Sequence, residues 1–292
     1  MSRHTRIIPR LDIKGPNLVK GIHLEGLRVL GRPEAFARWY YENGADELIY
    51  LDVVASLYGR NSLLDIVRRT SSEIFIPLTV GGGLRSVDDI RDTLRAGADK
   101  VAINTAAVRT PSLIAEAARR FGSSTIVVAI EAIETSPGTY EAFTDNGREA
   151  TGVNAVEWAG RAVELGAGEI LLTSVDREGT GRGYDVRLTR TIAEMVGVPV
   201  IAAGGAGSIR HVTEALVDGR ADAVAVASML HYYAVRVLPP PEVEAAEGNT
   251  EFLRSGRPPN RDIQPATVAE LALAIGEAGF VTRTTAMGRL HA

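Results

Sequence analysis

The sequence lacks cysteine entirely, and it contains few aromatic residues and no long apolar run. Without a thiol the chain has no disulfide, no thiolate nucleophile and no cysteine-ligated zinc site. No apolar run approaches the roughly 20 residues that a membrane-spanning helix needs. The first residues, MSRHTRIIPRLD, contain no apolar segment of the kind found in a secretory signal. We therefore expect a cytoplasmic protein without membrane contacts.

The sequence also lacks a large excess of one charge. Its net charge is −4 and its pI is about 5.8, which argues against a broad nucleic-acid-binding surface. The 292 residues, 45% hydrophobic and 23% charged, suit a soluble globular protein. Its histidines show no metal-ligand spacing, so we expect no metal; they are His4, His23, His211, His231 and His291. The sequence indicates no organic cofactor either, and we expect none.

Short β-branched runs alternate with amphipathic segments along the chain. Runs such as IVVAI and AVAVA are apolar at every position, which indicates parallel strands buried on both faces. The predicted strands are Arg6–Asp12, Glu47–Asp52, Ile76–Val80, Lys100–Ile103, Thr125–Glu131, Ile170–Ser174, Val200–Ala202 and Ala223–Val226. The predicted helices lie near 33–43, 61–72, 86–96, 111–120, 152–165, 185–196, 208–218 and 266–278. This alternation fits a (β/α)8 barrel, and it also occurs in doubly wound open sheets.

An internal repeat favours the barrel. GADELIYLD (44–52) aligns with GAGEILLTS (166–174), and IPLTVGGGLRS (76–86) aligns with VPVIAAGGAGS (198–208), both at an offset of 122 residues. ADKVAINT (98–105) aligns with ADAVAVAS (221–228). Two copies of a (β/α)4 unit close one barrel. We therefore predict an α/β TIM barrel that forms a single domain over residues 1–292.

Two segments interrupt the repeat. Residues 132–151 carry SPG and DNG turn signals around Tyr140–Thr144, which predicts a hairpin-like loop after strand five. Residues 232–265 are rich in proline, glutamate and arginine, and we interpret them as a long insertion between strand eight and the last helix.

Two acidic residues are candidates for acid–base chemistry. Asp12 ends strand one and Glu131 ends strand five, so the repeat places them opposite each other at the carboxyl ends of the barrel strands. Two carboxyl groups in different environments can serve as an acid and a base. The alternative is that each carboxylate only caps a loop or faces solvent at the rim.

Two glycine-rich loops, TVGGG (79–83) and AAGGAGS (202–208), each join a strand to a helix. Such loops let backbone N–H groups approach a phosphate, although a single loop of this kind is also a simple tight turn. The matched pair predicts two phosphate sites and a bis-phosphorylated substrate. The candidate phosphate contacts are Gly82, Gly83, Asn104, Thr105, Gly204, Gly205, Ala206, Ala227 and Ser228.

Further polar residues lie near the same strand ends. We expect Lys20, in the loop after strand one, to neutralise a phosphate or an anionic intermediate, and Asp52 to orient a substrate hydroxyl. Thr173 ends strand six, and Glu178 and Gly179 lie in the polar loop SVDREGTGRGYD (174–185) that follows it. These three are further candidate substrate contacts.

Seven motifs together resemble the cyclase subunit of imidazole glycerol phosphate synthase: RIIPRLDIK, LVKGIHLEGLR, DELIYLDVVAS, TVGGG, GADKVAINTAA, GAGEILLTSVDREGTGRGYD and AAGGAG. The resemblance covers about 1–231 and resumes near 263–283. A sister family, the histidine-pathway ketol isomerase, shares the half-barrel repeat. Ser174 and the GYD ending of the loop after strand six are typical of the cyclase.

The resemblance implies an ammonia-dependent lyase/cyclase. Such a cyclase converts phosphoribulosyl formimino aminoimidazole carboxamide ribonucleotide to imidazole glycerol phosphate and aminoimidazole carboxamide ribonucleotide. It implies a class I glutaminase partner at the amino ends of the strands, with ammonia passing through the barrel. Asp12 then matches the first catalytic aspartate and Lys20 the loop lysine. A ring that gates the ammonia is matched by Arg6, Glu47, Lys100 and Glu169, for which a stabilising charge cluster is the alternative.

Three positions depart from the family pattern. Glu131 stands where the second catalytic residue is usually aspartate, Arg10 where cysteine is usual, and Glu178 where aspartate is usual. The departures leave two other functions open. One is a paralogous synthase that passes glutaminase-derived ammonia to a different phosphorylated or nucleotide-linked substrate, in sugar or secondary-metabolite amidine chemistry. The other is a non-catalytic barrel that only activates a glutaminase.

Overall fold

The computed structural model describes residues 4–55, 63–239 and 260–283. Its strands are β1 (Arg6–Lys14), β2 (Asn17–Ile22), β3 (Glu25–Gly31), β4 (Leu48–Asp52), β5 (Leu78–Gly81), β6 (Lys100–Ile103), β7 (Ile126–Ser136), β8 (Thr139–Thr144), β9 (Glu149–Asn154), β10 (Glu169–Ser174), β11 (Val200–Ala203) and β12 (Ala223–Val226). Its helices are Pro33–Glu42, Leu64–Ser71, Val87–Arg95, Thr105–Arg109, Ser112–Phe121, Ala155–Glu164, Val186–Met195, Ile209–Val217, Ser228–Val237 and Val268–Glu277. Within these ranges, none of the helices has the length and apolarity to cross a membrane.

Eight parallel strands close into a barrel in the order β1, β4, β5, β6, β7, β10, β11, β12, and β12 pairs again with β1. The predicted (β/α)8 barrel is therefore confirmed. The first half-barrel repeat supplies β1, β4, β5 and β6, and the second supplies β7, β10, β11 and β12. The single domain over 1–292 stays a prediction, because 240–259 and 284–292 lie outside the described residues.

The barrel interior is apolar between its two ends. Ile8, Ile49, Leu171 and Ile201 belong to one buried cluster together with several alanines. Since side chains alternate along a strand, Arg6, Arg10 and Asp12 on β1 point to the same side as Ile8. Outside the barrel, the helices bury their apolar faces against the strands in two larger clusters. An apolar layer thus separates the charged residues at one end of the barrel interior from those at the other end.

Two antiparallel hairpins extend the carboxyl ends of opposite strands. β2 and β3 continue from β1, and β8 and β9 continue from β7. The hairpin predicted at 132–151 is confirmed. The prediction that Lys20 lies in a loop is wrong, because it lies within β2, which pairs with both β1 and β3.

Two predicted boundaries also need correction. The helix predicted over 152–165 begins only at Ala155, because Glu149–Asn154 forms β9 and the Asn154 side chain caps the helix by accepting from Val156 N at 2.9 Å. The insertion predicted over 232–265 starts too early, because residues 232–237 continue the helix Ser228–Val237, whose apolar side is buried. Residues 240–259 of that insertion, residues 61–62 and His291 lie outside the described residues.

Candidate active site

The carboxyl ends of the barrel strands, which we call the mouth, bring Asp12 and Glu131 to opposite sides of the interior. Asp12 lies on β1 and is only 2% exposed. Glu131 lies on β7, four strands away in the closed barrel order, and is partly buried. The structure therefore brings together the two carboxylates that the repeat predicted to face each other.

Asp12 is held between two cations. Its Oδ1 accepts a hydrogen bond from Arg10 Nε at 2.9 Å, and its Oδ2 lies 3.6 Å from Lys20 Nζ. The β2 strand turns back along β1, so Val19 lies opposite Asp12 in the register and Lys20 follows it. The hairpin thus positions Lys20 beside the Asp12 carboxylate.

These contacts belong to a buried set of four charged residues and one threonine, which we call the mouth network: Thr173, Arg10, Asp12, Lys20 and Glu178. Arg10 NH1 donates to Thr173 Oγ1 at 3.0 Å, and Lys20 Nζ donates to Glu178. Burial would lower the pKa of both cations, but the neighbouring carboxylates outweigh it and raise the pKa of each. The neighbouring carboxylates therefore favour the charged forms of Arg10 and Lys20 despite their burial.

Glu131 has a different environment. Burial raises the pKa of its carboxyl group from 4.5 to about 7, although the Arg10 charge and the N–H of Gly147 act in the opposite direction. Gly147 N donates to Glu131 Oε2 at 2.7 Å from the turn between β8 and β9. Near neutral pH this carboxyl group is therefore present in both protonation states, as an acid–base group requires.

A cavity of about 240 Å³ lies beside Glu131 at the end of the first half-barrel. The first glycine loop forms one wall, and Gly82 adopts a φ of +98°, which favours glycine. The predicted residues that line it are Asp52, Gly82, Gly83, Asn104, Thr105 and Glu131. The structure thus joins the predicted phosphate contacts of the first loop to one of the two carboxylates.

Sequence reasoning missed several polar residues in and beside this cavity. Arg85 and Arg109 line it, and Asp145 pairs with Arg109 through a 2.6 Å contact between its Oδ2 and NH2. The backbone N–H of Asp145 also donates to Thr105 Oγ1 at 3.1 Å. Arg85 lies two residues after the last glycine of the first loop, so its place in the sequence could have identified it. Asp145 belongs to a hairpin turn, and only the fold brings that turn to the cavity.

The second glycine loop lies on the other side of the mouth, after β11. The loop after β10 folds against it, since Gly183 N donates to Gly205 O at 2.8 Å and Glu178 approaches Gly204. Ala227 and Ser228 follow β12 and begin the next helix. The predicted contacts of this side therefore lie in segments that follow the neighbouring strands β10, β11 and β12: Gly179, Gly204, Gly205, Ala206, Ala227 and Ser228.

His231 lies under the mouth and is fully buried. Its Nδ1 lies 2.6 Å from the Tyr40 hydroxyl and its Nε2 lies 2.9 Å from the Arg10 carbonyl oxygen. Burial, reinforced by the Lys20 charge, lowers the pKa of the imidazole to about 3. The ring is therefore neutral and supports the backbone of β1 rather than entering the mouth.

At the amino ends of the strands, four residues form a closed ring of alternating charge, which we call the charged ring. Arg6 binds Glu47 at 2.7 Å and also binds Glu169. Lys100 Nζ lies 3.1 Å from Glu47 Oε1 and 2.9 Å from Glu169 Oε2. Thr79 Oγ1 donates a further hydrogen bond to Glu47 at 2.7 Å. The structure thus brings all four predicted ring residues together across the barrel floor.

Comparisons with known proteins agree with this architecture. Residues 6–236 match the model of a family described as histidine biosynthesis protein. The chain is 60% identical over 208 residues to imidazole glycerol phosphate synthase subunit HisF of Legionella pneumophila, which covers 71% of this chain and 98% of that protein. It is 50% identical over 232 residues to the HisF subunit of Alkaliphilus metalliredigens (strain QYMF), which covers 80% of this chain and 92% of that protein.

Proposed function

This chain belongs to the histidine biosynthesis protein family, and we propose that it is an ammonia-dependent cyclase of the imidazole glycerol phosphate synthase type. Its reaction combines ammonia with phosphoribulosyl formimino aminoimidazole carboxamide ribonucleotide. The products are imidazole glycerol phosphate, aminoimidazole carboxamide ribonucleotide and one water. The enzyme is therefore a lyase that forms the imidazole ring.

One observation carries this proposal: the two carboxyl groups of the mouth have contrasting environments. Asp12 is held between the cations Arg10 and Lys20, whereas burial raises the pKa of Glu131 to about 7. Ring closure and elimination both need protons to be moved at one reacting centre. Asp12 is therefore the base, and the protonated form of Glu131 is the acid on the opposite side.

The two glycine loops support a substrate with a phosphate at each end. The cavity beside Gly82 and Thr105 takes one phosphate, and the region around Gly204 and Ser228 takes the other. Because these regions lie on opposite sides of the mouth, a substrate that spans them has its middle between Asp12 and Glu131. Asp52, which also lines the first cavity, contacts a hydroxyl group of the substrate.

The charged ring supports a partner at the other end of the barrel. Its residues lie at the amino ends of the strands, remote from any phosphate site. A class I glutaminase docked there would release ammonia at the barrel floor, and the apolar interior would conduct it to the mouth. Arg6 and Lys100 are the more accessible members of the ring, with side chains 24% and 21% exposed against 2% for Glu47 and 5% for Glu169. Displacement of one of these two cations would open the ring to ammonia.

The test is turnover of the histidine precursor by the purified chain with an ammonium salt and without a partner. We expect imidazole glycerol phosphate and aminoimidazole carboxamide ribonucleotide to form in equal amounts, and we expect Asp12→Asn to reduce the rate by about a hundred- to ten-thousandfold. The control is Asp92→Asn, since Asp92 is an exposed residue of an outer helix and should not affect the rate.

A second candidate function rests on Glu131, whose arm is one methylene longer than that of the aspartate usual at this position. This difference favours a paralogous synthase that adds ammonia to another phosphorylated substrate. A folded chain that fails to turn over the histidine precursor with ammonium would support this candidate. A chain that activates a glutaminase but turns over neither substrate would support the non-catalytic barrel.

A further inference from the structure

The Arg10 guanidinium bridges two barrel strands beside the Asp12 carboxylate. Its Nε donates to Asp12 Oδ1 at 2.9 Å, and its NH1 donates to Thr173 Oγ1 at 3.0 Å. We propose that Arg10 is a positioning residue that fixes the orientation of the Asp12 carboxylate by tying it to β10 through Thr173. The proposal rests on the proposed function, because the role of Asp12 in proton transfer comes from there.

The bridge crosses the barrel interior instead of following its wall. Thr173 lies on β10, and two strands, β11 and β12, separate β10 from β1 in the closed order. The interior has room for so long a side chain because several inward positions are alanines, among them Ala129, Ala203 and Ala225. Barrel interiors are usually filled by branched apolar residues. The small side chains and the arginine therefore complement each other in volume.

Stability alone does not account for this bridge. Arg10 and Asp12 are each 2% exposed, so both charges have lost their hydration. A buried ion pair contributes little net stability, because apolar residues of the same volume would stabilise the interior equally well. A planar guanidinium with two fixed donors does, however, restrict where its acceptor can point. Orientation of Asp12 is thus the property that this arginine supplies.

Arg10 also affects the second carboxyl group, which gives an independent signal. The charged groups that act on Glu131 are Arg10 and Asp12 from β1 and Asp145 from the turn after β8, and Gly147 N–H binds it from the same turn. Of these, the Arg10 charge lowers the pKa of Glu131. Removal of that charge should move this pKa upward, whereas loss of the Thr173 hydroxyl should not. The effect of the Arg10 charge can therefore be distinguished from the effect of its hydrogen bond to Thr173.

The first experiment compares Thr173→Val with Thr93→Val in the ammonium-driven reaction. Both threonines are buried and each makes one side-chain hydrogen bond. Thr173 Oγ1 accepts from Arg10, whereas Thr93 Oγ1 donates to the Asp89 carbonyl oxygen in an outer helix. We expect Thr173→Val to lower kcat by at least about tenfold, because a displacement of about 1 Å can cost a hundredfold in rate. We expect Thr93→Val to retain kcat, and neither variant to shift the pH profile. Equal kcat values in the two variants would overturn the proposal.

The second experiment separates action through Asp12 from independent action. Arg10→Met should lower kcat and move the alkaline limb of the pH profile upward, and Arg10→Lys should restore the limb but not the full kcat. In the Asp12→Asn background, Arg10→Met should cause no further loss of kcat on the plateau of the pH profile, because its effect on kcat passes through Asp12. The upward move of the alkaline limb, which arises at Glu131, should persist. This double variant also removes both charges of the Arg10–Asp12 pair, so it avoids leaving one of them unpaired. If the losses of kcat in the two single variants multiplied in the double variant, the proposal would be contradicted.

A crystal structure of Thr173→Val provides a readout that does not depend on turnover. We expect the Asp12 carboxylate to adopt more than one orientation in this variant and a single one in Thr93→Val. A wild-type chain that is inactive with the histidine precursor would refute the proposed function, while this structural comparison would still test the role of Arg10. A single, unchanged Asp12 orientation in Thr173→Val would refute the positioning role.

Discussion

The backbone N–H of Gly147 donates to the Glu131 carboxylate at 2.7 Å, which links a hairpin turn to one side of the mouth. The same turn contains Asp145, whose N–H donates to Thr105 Oγ1 and whose carboxylate pairs with Arg109. The turn therefore joins an acid–base candidate to the wall of the cavity beside it. The length and charge of residue 131 must match the position of this turn.

Replacement of Glu131 tests that match. We expect Glu131→Gln to lower ammonium-driven turnover by about a hundred- to ten-thousandfold, as for the loss of a general acid. We expect Glu131→Asp to lower it by about tenfold, because the shorter arm withdraws the carboxyl group from Gly147 N and from the reacting centre. Steady-state kinetics with the histidine precursor measure both effects. A gain in turnover by Glu131→Asp would instead favour the paralogous synthase.

The pH dependence of stability provides a second test of Glu131. Its pKa rises from 4.5 to about 7 on folding, so the protonated form is the one that the folded state favours. This contribution to stability is complete below pH 4.5 and is lost as the pH rises through 7. The wild type should therefore lose on the order of 2 kcal/mol of unfolding free energy between pH 5 and 8 relative to Glu131→Gln. Urea denaturation curves of the wild type and Glu131→Gln, measured at each pH, would give that difference. If the free energy of unfolding changed equally with pH in the two proteins, the raised pKa of Glu131 would be ruled out.

Gly82 should be intolerant of a side chain. Its φ of +98° is unfavourable for alanine, and an added Cβ would collide with the Asp52 carbonyl oxygen. We expect Gly82→Ala to raise KM by about tenfold or more, because the loop can no longer approach a phosphate. Gly160→Ala is the control, since Gly160 lies in an outer helix and its Cβ would make only ordinary contacts with Met195. Gly160→Ala should leave KM unchanged and raise the melting temperature slightly. If Gly82→Ala had the same KM as Gly160→Ala, a phosphate site at this loop would be excluded.

The charged ring makes a prediction for the complex with a glutaminase. Lys100→Ala and Glu169→Ala should each reduce the amount of product formed per glutamine hydrolysed, while the ammonium-driven rate changes less than about twofold. The matched control is Arg68→Ala, which removes an exposed ion pair with Asp65. Simultaneous assays of glutamate and imidazole glycerol phosphate measure this coupling. If both activities fall in proportion to stability, the ring is only a stabilising cluster.

Local sequence patterns predicted the barrel because each strand is short and apolar and because the two halves repeat. They did not predict β2 and β3, since this hairpin turns at His23 and Leu24, two non-glycine residues with positive φ. Nothing in the local sequence marks such a turn. The sequence therefore predicts a loop at Lys20, where the structure has β2.

The partners of the site residues were harder to predict than the residues themselves. Lys20 and Glu178 are separated by 158 positions, and Arg10 and Thr173 by 163, so only the closed barrel brings them together. The repeat indicated that Asp12 and Glu131 face each other, because that relationship follows from symmetry. The mouth network has no counterpart in the repeat, and it therefore had no signal in the sequence.

The charged ring also bears on how the two halves of the barrel assemble. The first half contributes Arg6, Glu47 and Lys100, and the second contributes Glu169. Two copies of the first half would bring together four cations and two carboxylates, and two copies of the second would bring together two carboxylates with no cation from these positions. Since an unpaired buried charge is costly, only the mixed pairing balances the floor. The ring thus favours pairing of the first half with the second half over pairing of either half with a copy of itself.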